Sequence, residues 1–153
     1  MLNEEKIVQE LCAKFNFLEN QIKITRPRRI FLETTEEHFA QVFDFCIMNL
    51  NFKHLCAITG FDDCDKLSVM YHLSGKDGIL LNLKVSVPKD KPVLKTVMSY
   101  FLCAEIYERE LVDLLGFKIE GLPVGNRYPL TDDWPKDEFP LRKDWKSSDH
   151  MKA

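Results

Sequence analysis

The chain has 153 residues, 45% of them apolar and 29% charged, with a formal net charge of −3. That length supports one ordinary domain with a real core, and the composition is globular. The charge balance speaks against a nucleic-acid binder, whose footprint is a basic face or stripe.

Residues 4–19 read as an amphipathic helix, with Ile7, Leu11, Phe15 and Leu18 at helical spacing and Asn3 as a cap. Gln21–Thr25 is a short alternating strand. Pro27 places it at a sheet edge or ends it there, because proline cannot donate to a ladder. Arg29–Glu33 forms a second strand. Thr34 and Glu37 stand at capping-box spacing before a helix whose apolar face is Phe39, Val42, Phe43, Cys46, Ile47 and Leu50.

Three strands are expected next. The first covers residues 52–61. In the second, Leu67, Val69, Tyr71 and Leu73 alternate with Ser68, Met70 and His72. In the third, Ile79, Leu81, Leu83 and Val85 alternate with Leu80, Asn82, Lys84 and Ser86, and Ser74–Gly78 makes a hairpin loop between them. Residues 93–115 read as the longest helix, with Glu105, Arg109 and Asp113 as an i, i+4 charged ladder and Gly116 as its stop. The order α-β-β-α-β-β-β-α points to an α+β two-layer domain, with helices on one face of a mostly antiparallel or mixed sheet.

From Gly116 the periodicity stops. This segment holds four of the seven prolines (123, 129, 135 and 140) and both tryptophans, Trp134 and Trp145. Seven basic residues balance seven acidic ones. Disordered tails are poor in aromatics, and Trp, Tyr and Arg are frequent carriers of interface energy. The reading is a domain over 1–115 and an extended arm over 116–153. The arm either grips a partner protein or folds back on its own domain.

Chemistry-bearing motifs are sparse. The cysteines are Cys12, Cys46, Cys56, Cys64 and Cys103, with no C-x-x-C pair. Cys12, Cys46 and Cys103 fall in apolar helical stretches and read as buried thiols. His38, His54, His72 and His150 are scattered, so no metal site is expected. There is no phosphate loop, nucleophile elbow or HExxH. No apolar run is long enough for a membrane helix, and no signal peptide opens the chain. A cytoplasmic location is expected, with any membrane contact made through partners and none by direct insertion.

Read in order, Glu108-Arg109-Glu110-Leu111-Val112-Asp113-Leu114-Leu115-Gly116 is followed by Gly121-Leu122-Pro123 and Arg127-Tyr128-Pro129-Leu130. Asp132-Asp133-Trp134-Pro135 comes next, then Pro140-Leu141-Arg142-Lys143-Asp144. Together they resemble the thirty-kilodalton subunit family of respiratory complex I and of energy-converting membrane-bound [NiFe] hydrogenases. The chain departs from the complex I form in having Leu122 between Gly121 and Pro123, and Asn126 before Arg127. Its Asp-Asp-Trp-Pro stretch is closer to the hydrogenase or formate hydrogenlyase branch.

The resemblance implies a non-catalytic peripheral-arm subunit with no cofactor of its own. Its expected partner is the large catalytic subunit, of hydrogenase-large-subunit or 49 kDa type. Iron–sulfur clusters, and nickel–iron in a hydrogenase, would sit in neighbouring subunits. The expected partner-binding residues are Glu108, Arg109, Glu110, Asp113, Gly121, Pro123, Arg127, Trp134, Pro140, Leu141, Arg142, Lys143 and Asp144. Glu108, Glu110 and Asp113 crowd a helix C-terminus, where carboxylates oppose the dipole. Cations such as Arg127, Arg142 or a partner arginine are expected to hold them. The plainer reading is a solvated helix face with a weak Glu105–Arg109 pair.

Three alternatives stay open: the equivalent subunit of an NADH:quinone oxidoreductase, a small independent α+β enzyme using Cys56, Cys64 or His72, and an assembly factor that only resembles the subunit and is missing from the mature complex. No nucleophile–base–orienter set is legible for the second.

Overall fold

The computed structural model describes residues 3–147. Its elements are α1 (Asn3–Lys14), β1 (Ile22–Arg26), β2 (Arg29–Thr35), α2 (Glu36–Met48), β3 (His54–Asp62), β4 (Lys66–Ser74), β5 (Leu80–Pro88), β6 (Val93–Lys95), α3 (Ala104–Leu115) and β7 (Lys118–Glu120). The five longer strands form one sheet in the order β1-β2-β5-β4-β3, and β6 pairs with β7 separately. β1 runs antiparallel to β2, and β2 runs parallel to β5. This is the expected mostly antiparallel α+β architecture, with one small parallel pair added. β1 lies at the sheet edge and ends at Arg26, just before Pro27.

Alternation decides which face is inside. Ile30 pairs with Leu81, Leu32 with Leu83 and Thr34 with Val85, and all six are buried. Between them Phe31 faces Asn82 and Glu33 faces Lys84 on the more open side, where Lys84 bonds Glu33 at 3.2 Å. α2 covers the inner face: Phe39 and Phe43 meet Tyr71 of β4 at ring-centroid distances of 4.9 and 5.3 Å. The end of α1 reaches α2 through Phe15 and Phe45, edge to face at 5.4 Å.

Three sequence expectations change. The first helix ends at Lys14, with one 3-10 turn at Asn16–Leu18. The capping box does not form: Thr35 is the N-cap, without a side-chain bond, and the buried Thr34 hydroxyl has no partner among the described residues. Thr34 is instead the last inward position of β2, paired with Val85.

The helix expected over 93–115 is shorter. Val93–Lys95 pairs in parallel with Lys118–Glu120, and helix begins only at Ala104. Val93, Thr96 and Val97 are β-branched and favour extended backbone. The Val97 N–H is captured by the Glu108 carboxylate, not by a carbonyl four residues back.

The chain forms two compact units. One comprises Met1–Thr59 and Val69–Ser86; the other comprises Gly60–Ser68 and everything from Val87 onward. The boundary expected at Gly116 is therefore not where the units divide. The tail clusters with α3 because its polar groups bond to that helix and to the β3–β4 turn.

Candidate partner-binding surface

Every sequence-derived partner-binding candidate lies in the second unit. Glu108 is its most buried carboxylate, 1% exposed. Oε1 accepts the Val97 N–H at 2.7 Å and Oε2 accepts the Thr96 hydroxyl at 2.6 Å. Burial raises its pKa above the ordinary carboxylate value; those two bonds and nearby Glu105 act with smaller effect. Among the described residues no cation holds Glu108, contrary to expectation. Two neutral donors do, and they tie the segment before α3 to the middle of the helix.

Asp113 is held by a cation. Arg127 Nε donates to Oδ1 at 2.5 Å, and the Leu130 N–H donates to Oδ2 at 2.7 Å. The same guanidinium reaches the Trp134 carbonyl through Nη1 at 2.5 Å. One buried carboxylate thereby fixes residues 127–134 against the last turn of α3. The ladder foreseen along the helix is only half formed: Arg109 bonds Glu105 at 2.7 Å, then turns to the Pro123 carbonyl at 2.9 Å.

The Pro-Leu-Arg-Lys-Asp closure meets a residue that sequence reading missed. Asp62, at the end of β3, is buried. It accepts bonds from the Cys64 N–H at 2.9 Å, Lys89 Nζ at 2.7 Å and the Lys143 N–H at 2.8 Å. Burial opposes its charge, but these three donors prevail and hold its pKa below the ordinary value. Lys89 also pairs with Asp144 at 3.3 Å, and its own pKa is raised, chiefly by Asp62. The only sequence signal is the acidic turn Asp62-Asp63-Cys64-Asp65, and it names no partner.

Arg142 does not seek a carboxylate. Its Nε donates to the Leu115 carbonyl at 2.7 Å, satisfying an orphan acceptor at the end of α3. Its guanidinium lies 4.8 Å from the centre of the Phe139 ring. Gly116 has φ +75° and lies so close to Phe139 that a Cβ there would sit 2.6 Å from the ring. Trp134 and Trp145 approach each other at 6.0 Å and both bond Glu138, through its carbonyl and its carboxylate.

Residues 116–147 are thus pinned to their own unit, not free. Part of the segment still faces outward. Glu110 and Pro140 are half-buried, while Gly121, Pro123, Lys143 and Asp144 are exposed. Val124, Tyr128 and Leu141 are exposed large hydrophobics. Val124 and Tyr128 line an open groove of about 610 Å3 together with Leu102 and Ile106.

The residues of the enzyme alternative are otherwise engaged. His72 Nδ1 lies 2.7 Å from Asn82 Oδ1, and Nε2 lies 3.0 Å from the Thr59 hydroxyl. Asn82 Nδ2 donates to the Ile30 carbonyl, so its Oδ1 accepts and His72 carries hydrogen on Nδ1. This is a polar rung across four strands, β3, β4, β5 and β2. Cys64, with φ +68°, accepts a bond from Lys143 Nζ at 3.3 Å. Cys46 is buried, which pushes its thiol up to about 12. Cys103 is exposed just before α3, not buried in a helix as expected. His150 lies outside the described residues. Among the described residues, no group of three or more His, Cys, Asp or Glu could hold a metal. No helix among them is long and apolar enough to cross a membrane.

A family model described as the respiratory-chain NADH dehydrogenase 30 Kd subunit matches residues 32–151. The chain is 31% identical to a subunit of the F(420)H(2) dehydrogenase of Methanosarcina mazei, covering 94% of this chain and 92% of that one. It is 28% identical to the beta subunit of the membrane-bound hydrogenase of Pyrococcus furiosus, covering 95% and 88%. A chain from the structure of the membrane-bound sulfane sulfur reductase, an archaeal respiratory membrane complex, superimposes with a TM-score of 0.79. It is 26% identical, with 94% of this chain and 85% of that chain covered.

Proposed function

Since the chain belongs to the 30 kDa subunit family of the respiratory-chain NADH dehydrogenase, we propose that it is a non-catalytic subunit of a multisubunit redox complex that positions the large catalytic subunit. The observation that carries this reading is the state of residues 116–147. They have almost no regular structure, yet Asp113 and Asp62 pin them in a fixed course. Along that course Val124, Tyr128 and Leu141 are left in solvent. A pre-shaped irregular segment with exposed apolar anchors costs little ordering entropy on binding, which favours a protein contact.

In this reading Glu108, Asp113, Arg127, Arg142 and Lys143 shape the surface from within, while Glu110, Leu141 and Asp144 meet the partner. Trp134 and Trp145 brace the outer loop. Iron–sulfur clusters, and nickel–iron in a hydrogenase, belong to neighbouring subunits, and this chain keeps those subunits in register. It lies on the cytoplasmic side and reaches the membrane through them.

Within the family we favour the energy-converting hydrogenase or formate hydrogenlyase branch, on the Asp132-Asp133-Trp134-Pro135 stretch. The family description itself favours a second reading, the same subunit in an NADH:quinone oxidoreductase. Affinity purification through a tag on this chain, from gently solubilised native membranes, tests the proposal. A large redox subunit and iron–sulfur subunits should co-elute in fixed ratio. Elution of the chain alone would overturn it. Nickel in that eluate selects the hydrogenase branch, and quinone reduction without nickel selects the other.

A further inference from the structure

The β1–β2 hairpin concentrates positive charge on one face of the sheet. From Asn20 to Leu32 the sequence holds Lys23, Arg26, Arg28 and Arg29 and no acidic residue. The strand register brings three of these together. Lys23 pairs with Phe31 and Arg26 with Arg29, and Phe31 stands on the more open side of the sheet. Residues directly opposite in a ladder share a face, and so do residues two apart along a strand. Lys23, Arg26 and Arg29 therefore share that open side. Plain alternation would carry Arg26 inward with Ile22 and Ile24. The register shifts by one residue between Ile24 and Arg26, and this bulge turns Arg26 outward.

Arg26 and Arg29 are thus a directly opposed pair of like charges, an arrangement that destabilises a hairpin. Among the described residues neither guanidinium has an ion-pair partner. The turn between them is nevertheless firmly held. Arg28 takes φ +60°, a turn conformation that usually falls to glycine. Its N–H donates to the Glu4 carboxylate, and its carbonyl accepts the Leu80 N–H at 2.9 Å. The hairpin keeps its two guanidiniums side by side at a local cost in stability, with Arg26 exposed and Arg29 half-buried.

An anion relieves such a pair. Arginine's planar fork takes a carboxylate through two parallel bonds, so two adjacent forks match two neighbouring carboxylates. Lys23 Nζ lies 5.4 Å from the centre of the Phe31 ring and covers it, so the ring is no platform for a nucleobase. Segments that bind anionic membranes carry roughly four to eight basic residues, more than this strip holds.

We propose that Arg26 and Arg29 clamp an acidic segment of a neighbouring subunit, each guanidinium taking one carboxylate. The proposal rests on the multisubunit reading above and deepens it by naming a second contact and its chemistry. The clamp belongs to the unit that does not contain the tail.

The test uses the assembled complex. Arg26→Lys places an amine at the clamp, and a zero-length carbodiimide joins amines only to carboxylates in contact with them. The expected product, read by mass spectrometry, links position 26 to an Asp- or Glu-rich stretch of a different subunit. Arg26→Gln should speed release of the chain from the complex at moderate salt about tenfold, as loss of one partner of an interfacial charge pair does. The same substitution should leave the isolated chain at least as heat-stable as the parent, because it removes one of two opposed charges. A lower Tm of the isolated chain with unchanged release would show that the arginines serve the fold, and would overturn the clamp. A link to a second copy of this chain, or no link from position 26 in an intact complex, would overturn it too. So would binding of the isolated chain to RNA or to anionic phospholipid vesicles that Arg26→Gln abolishes. Failure of the unmodified chain to enter any complex would instead overturn the subunit reading, and the clamp with it.

Discussion

The Asp62 carboxylate accepts the backbone N–H of Lys143 at 2.8 Å across 81 residues of chain. Because the donor is a backbone group, the bond fixes the path of the tail whatever side chain stands at 143. Asp62 also holds Lys89, which in turn holds Asp144. Asp62→Ala strips the part-buried Lys143 and Cys64 N–H groups of their acceptor and Lys89 of its closest carboxylate, and should cost about 2–3 kcal/mol. Amide exchange at Lys143 should accelerate, while exchange in α1 and α2 should not. Unchanged exchange at Lys143 would mean that other contacts fix the closure. Asp62 also makes stability acid-sensitive. Its pKa is lowered on folding, so its contribution is present above the ordinary carboxylate value of about 3.8 and is lost as pH falls below it.

Glu108 acts in the opposite sense. Its pKa is raised on folding, so the native state binds the proton more tightly. Its contribution is most favourable below about 4.5, the ordinary value, and declines as pH climbs above it. Glu108→Gln should flatten that decline, because Gln keeps an acceptor for the Val97 N–H without the charge. Glu108→Ala should instead cost about 1–3 kcal/mol at every pH, by orphaning that N–H. Chemical denaturation of both variants across the mildly acidic to neutral range separates the two effects.

Gly116 combines a left-handed backbone with a close approach to Phe139. Gly116→Ala should destabilise by about 1–2 kcal/mol from backbone conformation, plus the cost of displacing the ring. Phe139→Ala removes only the second part. A double-mutant cycle should therefore show a coupling of roughly 1 kcal/mol. Strict additivity would mean that the ring does not touch residue 116.

The Thr34 hydroxyl is buried on the core side of β2 with no partner among the described residues. Thr34→Val keeps the shape, removes an unsatisfied polar group and suits the strand. Thermal unfolding should show a gain of about 1 kcal/mol. A loss would imply that the hydroxyl is bonded in solution.

The sheet was legible because period-2 alternation is local: Leu67 to Leu73 and Leu81 to Val85 show their buried face directly. The Phe39–Ile47 helix was legible for the same reason. Residues 93–103 were misread because their conformation depends on two distant groups. One is β7, which pairs with Val93–Lys95; the other is Glu108, which takes the Val97 N–H. Local propensity cannot foresee either. The tail's motifs were legible as one assembly, since Asp113, Arg127 and the 140–144 closure all belong to the same unit. Its supports, Asp62 and Lys89, were invisible because nothing in the sequence links an acidic turn at 62–65 to a backbone N–H at 143. The side of α3 facing outward was missed too. The charged ladder drew attention to one flank, and Ile106 on α3, with Leu102 just before the helix, was left unread.

Cross-linking mass spectrometry of the affinity-purified complex tests the central claim most directly. With an amine-reactive reagent, Lys136 and Lys146, both exposed on the irregular segment, should link to the large catalytic subunit. Links confined to this chain, or to further copies of it, would contradict its role as the piece that positions that subunit.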